Sequence, residues 1–235
     1  MDKLQRMNKI LNKSYNVKKI IVIILVIFPY FISCQNQPDK ERKSVKIIKF
    51  EISGLMGDGI TNSSGIQLGI ESELKNNLSF EQDLMYIFKF DRNNSGFFEI
   101  DVENIYGLKS VSELRYYLKK DVKPKLTDVY LALNLILQYT NALRKQKDEN
   151  HIPNSYHVNR FVFALHGKIG LQFVLYKNLI LDISAGLGIR YISSNSIGEK
   201  YDYIEECEYL YGKLYNSGSK WLPSMTGGFR LGYKL

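Results

Sequence analysis

Between Val45 and Leu235 the apolar residues recur at every second position, and in eight successive segments one of the two faces so defined is almost free of charge. A period of two belongs to a β-strand, whose side chains alternate between faces, and does not fit the 3.6-residue repeat of a helix. The segments are 45–56, 64–74, 78–90, 108–119, 127–140, 158–175, 179–192 and 223–235. Along the apolar face lie Ile48 and Phe50, Ile66, Leu68 and Ile70, Leu84 and Tyr86, Leu114 and Tyr116, Leu131, Leu133 and Leu135, Leu165, Ile169 and Leu171, Ile183, Leu187 and Ile189, and Phe229, Leu231 and Tyr233. Its single charge is Lys46, at a strand end. The opposite face carries Lys49, Lys89, Lys109, Arg115, Lys119, Arg160, Lys168, Arg190, Arg230 and Lys234 against Glu51, Glu71, Glu73, Glu81, Asp83, Glu113, Asp128 and Asp182. The 17 Tyr and 12 Phe suit strands. An all-β fold is expected, an eight-stranded antiparallel up-and-down barrel over residues 45–235.

Such alternation describes two architectures. A soluble barrel that carries an apolar ligand places its Leu and Phe inside, whereas a transmembrane barrel turns the same residues toward lipid. Two features favour the membrane. The connections at Gly57–Ser63, Asp91–Gly107, Asn141–His157 and Ser193–Leu222 are 7, 17, 17 and 30 residues long, against 3, 7 and 3 for those between them, so the two alternate sets differ in length. Transmembrane barrels show that asymmetry, with short periplasmic turns and long extracellular loops. Aromatic residues also gather at the ends of the apolar face: Phe88, Phe90, Tyr139, Phe161, Tyr191 and Trp221 toward one interface, Phe80, Tyr116, Phe173 and Tyr233 toward the other. Amphipathic rings favour the headgroup region. The alternative is a soluble or lipid-anchored periplasmic barrel.

The leader has the order expected of an export signal. Residues 1–19 are polar and basic, Ile20–Ile32 is an apolar run broken by Pro29, and Ser33 and Cys34 follow. The run is shorter than the roughly 20 residues a spanning helix needs. Residues 1–34 are thus expected to be a signal peptide, and 35–44 a polar linker. Phe31-Ile32-Ser33-Cys34 resembles a lipobox, which implies lipidation at Cys34; cleavage just before Gln35 is the alternative. The leader holds six bases against one acid, so it carries +5 of the chain's formal +8. The basic balance is therefore no argument for nucleic acid, and none is expected as a partner.

The segment Gly227-Gly228-Phe229-Arg230-Leu231-Gly232-Tyr233-Lys234-Leu235 resembles the C-terminal insertion signal of outer-membrane barrels, with Leu235 where Phe is usual. Val111–Leu118 and Ile183–Tyr191 resemble strands of the small outer membrane protein beta-barrel domain families. The resemblance covers residues 45–235 as a pattern. It implies a Gram-negative outer-membrane location, with membrane lipid and the barrel-insertion machinery as partners, and no chemistry.

An eight-stranded barrel has an interior just wide enough for side chains. Inward acids and bases at such range need partners, so a lumen closed by salt bridges is expected among Glu71, Glu73, Glu81, Asp83, Glu113, Arg115, Lys168, Asp182, Arg190 and Arg230. Gly69, Gly170, Gly186, Gly188, Gly228 and Gly232 are expected to make room for the Arg and Lys side chains. Phe97–Ile105 reads as a further strand or an extension beyond the membrane, and Tyr201–Tyr215 as a helix or hairpin, which leaves a ten-stranded version open.

No sequence pattern calls for a cofactor, a metal or an enzyme. His151 and His157 share a loop without a third ligand at zinc spacing. Glu205-Glu206-Cys207-Glu208 lacks the alternating spacing and Gly of a calcium loop. Ser184 and His166 lie on inward faces of neighbouring segments, without an assignable acid. The expected role is structural or surface interaction, through loops in which Tyr201, Tyr203, Tyr209, Tyr211 and Trp221 are the candidate contacts.

Overall fold

The computed structural model describes residues 45–52, 63–75, 77–89, 102–118, 127–147, 153–197 and 218–235. The leader, Cys34 and the loop tyrosines Tyr201, Tyr203, Tyr209 and Tyr211 lie outside the described residues.

Eight strands form one ring: β1 (Lys46–Glu51), β2 (Ser63–Lys75), β3 (Leu78–Lys89), β4 (Val102–Tyr117), β5 (Thr127–Lys147), β6 (Pro153–Tyr176), β7 (Leu179–Ile197) and β8 (Gly218–Lys234). Each pairs antiparallel with its chain neighbour, and β1 with β8 closes the barrel from Ile47↔Lys234 to Glu51↔Arg230. Two backbone bonds beyond the ladder extend that seam, Ile52 N to Phe229 O at 2.8 Å and Leu235 N to Lys46 O at 2.9 Å. Closure removes the exposed sheet edges that would otherwise recruit another chain. Among the described residues there is no gap in the ring for a further strand pair.

The parity of the sequence becomes the two walls of this ring. Leu68, Leu84, Leu108, Leu133 and Leu187 are 54–66% exposed on the outer surface, while Glu81, Glu113, Arg115 and Asp182 are at most 1% exposed inside. The ligand-carrier alternative, with Leu and Phe lining a cavity, has the opposite polarity and is overturned by this placement. Exposed aliphatic side chains on this scale are unfavourable in water and favourable in hydrocarbon.

Several strands run further than their apolar segments. β4 begins at Val102, so the second half of Phe97–Ile105 extends it rather than forming another strand. β5 continues to Lys147 and β6 starts at Pro153, paired residue by residue to Lys147↔Pro153. β7 reaches Ile197 and β8 starts at Gly218. All these additions lie at the end away from the seam's terminal residues. Polar ends such as Asn141 and Asn195 have no alternation to read, but their backbone groups still need ladder partners. Trp221, assigned above to a loop, is an outward residue of β8, its ring 5.1 Å from that of Tyr191.

The β6–β7 connection is the tight turn Lys177-Asn178, with Lys177 at φ 42° and its ammonium 5.2 Å from the centre of the Tyr176 ring. Register shifts at Glu73/Lys75 and Val174/Tyr176 place a bulge at each of the two short hairpins, where barrel walls bend.

Candidate functional site in the barrel lumen

The lumen is the place where this chain concentrates chemistry. Register sets the problem: Glu71 faces Glu81 across β2–β3, and Glu81 faces Glu113 across β3–β4. Like charges on neighbouring strands destabilise a sheet unless cations intervene.

Two cations do so from different strands. Lys49 Nζ, from β1, lies 2.6 Å from Glu71, 3.0 Å from Glu81 and 2.5 Å from Asp182. Arg115, from β4, meets Glu71 at 3.1 Å, Glu81 at 2.7 Å, Glu113 at 2.7 Å and Asp182 at 2.6 Å. Around this centre Lys168 pairs with Glu113 at 2.6 Å, and Arg230 with Glu51 at 2.6 Å, Glu81 at 2.7 Å and Asp83 at 3.5 Å. Several of the remaining lone pairs are met by neutral groups, while Asp83 Oδ1 is buried without a hydrogen-bond partner among the described residues. Tyr117 Oη donates to Glu71 at 2.5 Å, Tyr130 Oη to Asp182 at 2.7 Å, Asn134 Nδ2 to Glu113 at 3.0 Å and Gln67 Nε2 to Asp83 at 2.7 Å. The Arg115 guanidinium also sits 4.4 Å over the Tyr130 ring, an arrangement that a planar delocalised cation favours.

The structure thus brings Glu71, Glu81, Asp83, Glu113, Arg115, Lys168, Asp182 and Arg230 into one connected cluster. Glu73 is half-buried beside a smaller cavity of about 140 Å³ at the terminal end, with Asp128 and Lys234. Arg190 stands apart, on a cavity of about 280 Å³ toward the loop end. Lys49 and Glu51, which share the inward parity, belong to the cluster, and so do Tyr117 and Tyr130. A count of charges by face cannot find a tyrosine.

The glycines make room for particular neighbours. A Cβ at Gly170 would run into the Tyr130 ring, one at Gly69 into the Asp83 carboxylate, and one at Gly188 into the backbone around Leu165 and His166. At Gly186, Gly228 and Gly232 the side chains of Lys168, Arg230 and Lys49 are among the closest neighbours. The space therefore serves an aromatic ring, an acid and a close backbone approach as well as long basic side chains.

Glu71, Glu81 and Asp182 each offer an oxygen within 4.8 Å of the others, a grouping that resembles a metal cage. The positive charge at its centre is the chain's own, supplied by Lys49 and Arg115. His166 Nε2 lies 2.8 Å from Ser224 Oγ, not against Ser184. Among the described residues its Nδ1 has no hydrogen-bond partner, so no orienting acid of a Ser-His hydrolase is placed against this pair there.

An eight-stranded closed ring with an apolar exterior and an ion-paired polar interior is the architecture of a small transmembrane β-barrel. No family model and no curated protein matches the sequence. Among solved structures, the chain is similar to a major outer membrane protein from Thermus thermophilus, at TM-score 0.47 and 11% identity, over 82% of this chain and 99% of that one. It is also similar to the N-terminal β-barrel domain of Pseudomonas aeruginosa OprF, at TM-score 0.34 and 12% identity over 83% and 100% of the two chains. Neisserial surface protein A matches at TM-score 0.36 and 12% identity over 82% and 94%.

Proposed function

We propose that this chain is a non-enzymatic outer-membrane β-barrel of a Gram-negative bacterium, with a lumen closed by its salt-bridge cluster and a structural or surface-interaction role carried by its loops. One observation carries the reading: charge and apolarity are inverted relative to a soluble protein. The bilayer supplies the apolar medium that Leu133 and Leu187 need, and the ring supplies the hydrogen-bond closure that the bilayer demands.

In this reading the leader directs export, the termini lie in the periplasm, and the β8 strand engages the insertion machinery. The strand ends away from Val45 and Leu235 then lie toward the outer face of the membrane. A fully connected set of buried pairs resists opening, because breaking one pair leaves an uncompensated buried charge. The barrel consequently acts as a wall and an anchor, not as a pore.

Membrane fractionation with heat-modifiable gel mobility tests the location. The expected result is a protein in the outer-membrane fraction that migrates faster unheated than boiled; folded protein in the detergent-free soluble fraction would overturn it. Planar-bilayer recording tests closure, and a steady open-channel current would refute it.

A further inference from the structure

We propose that the loop-end cavity of the lumen is a binding site for a small, water-soluble oxyanion of the phosphate type. The cavity, of about 280 Å³, lies between the ion-paired cluster and the loop end of the barrel. A water needs only about 10–15 Å³ by the same measure, so a tetrahedral anion with part of its hydration shell fits.

Its lining is positively charged. Lys109 from β4, Arg190 from β7 and Arg230 from β8 face it, and the one carboxylate of the lining among the described residues is Glu51. Glu51 is already engaged by Arg230 Nε at 2.6 Å and by the Phe229 backbone N–H at 2.9 Å. Among the described residues the lining therefore holds no further carboxylate to balance Arg190.

Two groups on this lining have no hydrogen-bond partner among the described residues. Arg190 Nε is buried and makes no hydrogen bond among the described residues. His166, only 2% exposed, lines the same cavity with Nδ1 unbonded. Its Nε2 is 2.8 Å from the Ser224 hydroxyl. With Ser224 donating to Nε2, the neutral ring carries its proton on Nδ1 and offers a second N–H donor. A guanidinium fork, an ammonium and an imidazole N–H around one polar cavity make the donor set that an oxyanion satisfies. The three come from three different strands held in register, so the site is preformed. The sheet wall separates it from lipid headgroups, which points to a free anion and not to a lipid phosphate.

The test uses the full chain folded in a zwitterionic detergent. Inorganic phosphate is titrated by calorimetry against chloride at matched ionic strength, and phosphatidic acid in mixed micelles forms a second arm. Saturable one-site binding of inorganic phosphate is expected, weakened about tenfold or more by Arg190→Gln, the loss of one charge-assisted contact. Arg190→Lys should retain part of the affinity, and heat-modifiable mobility checks that each variant is folded. Lys109→Gln is the second variant and should also weaken binding if Arg190→Gln does not fold. Absence of saturable phosphate binding, an affinity unchanged in the folded variants, or binding to phosphatidic acid alone would overturn the proposal. The proposal does not depend on where the barrel resides, since detergent-folded protein suffices.

Discussion

Glu81 and Glu113 stand directly opposite one another across the β3–β4 register, and both side chains turn into the lumen at no more than 1% exposure. Neither is balanced within its own strand pair except through Arg115, whose Nε and Nη2 reach one carboxylate each at 2.7 Å. The cluster is thus built across the barrel, with four cations from β1, β4, β6 and β8 holding acids that register forces together.

Removing the hub should be severe. Arg115→Ala strands Glu71, Glu81, Glu113 and Asp182 with only Lys49, Lys168 and Arg230 in reach, and the expected loss is about 3–5 kcal/mol. Arg115→Lys should recover only part of it, because an ammonium lacks the guanidinium fork and its seat over Tyr130. Denaturant unfolding of the detergent-folded protein, followed by tryptophan fluorescence and gel mobility, gives both values.

Lys49 and Lys168 offer a graded comparison. Lys49 contacts three carboxylates and Lys168 one. Lys49→Met should therefore destabilise more than Lys168→Met, although both keep a stem of similar size. Equal unfolding midpoints for the two variants would contradict the connectivity described above.

The outer wall makes an independent prediction. Leu133 is 55% exposed and sits at the centre of the apolar segment 127–140 within β5. Leu133→Arg should cost about 2–4 kcal/mol when folding is measured into lipid vesicles, the penalty for a guanidinium near the bilayer midplane. Leu133→Met should be nearly neutral. A soluble barrel would tolerate the Arg at this exposed site.

Close packing in the lumen can be probed with one methyl group. Gly170 faces Tyr130 across β5–β6, and a Cβ there would meet the ring that donates to Asp182. Gly170→Ala should cost about 1–3 kcal/mol by overpacking. At Gly167, on the same strand but facing outward, a Cβ meets nothing within 4 Å, so Gly167→Ala should stay within about 0.5 kcal/mol.

The alternation from Ile48 to Tyr233 is local, two residues at a time, so the eight alternating segments and which residues share a wall are legible in the chain itself, while the closed ring decides that no further strand joins them among the described residues. That Leu133 and Lys168 fall on opposite walls follows from parity alone. Which wall faces inward does not, because one pattern serves a soluble or a membrane barrel until the ring is closed with a particular curvature. The extensions of β5 to β8 carry no apolar alternation; backbone pairing with a neighbour sets their length, as at Lys147↔Pro153. The centre of the lumen was the least legible part. Lys49 and Tyr130 lie more than 80 positions apart and meet around Asp182 only because long side chains span the narrow interior. Sequence determined that the charges share a wall, and the diameter and register of the closed barrel decided which of them touch.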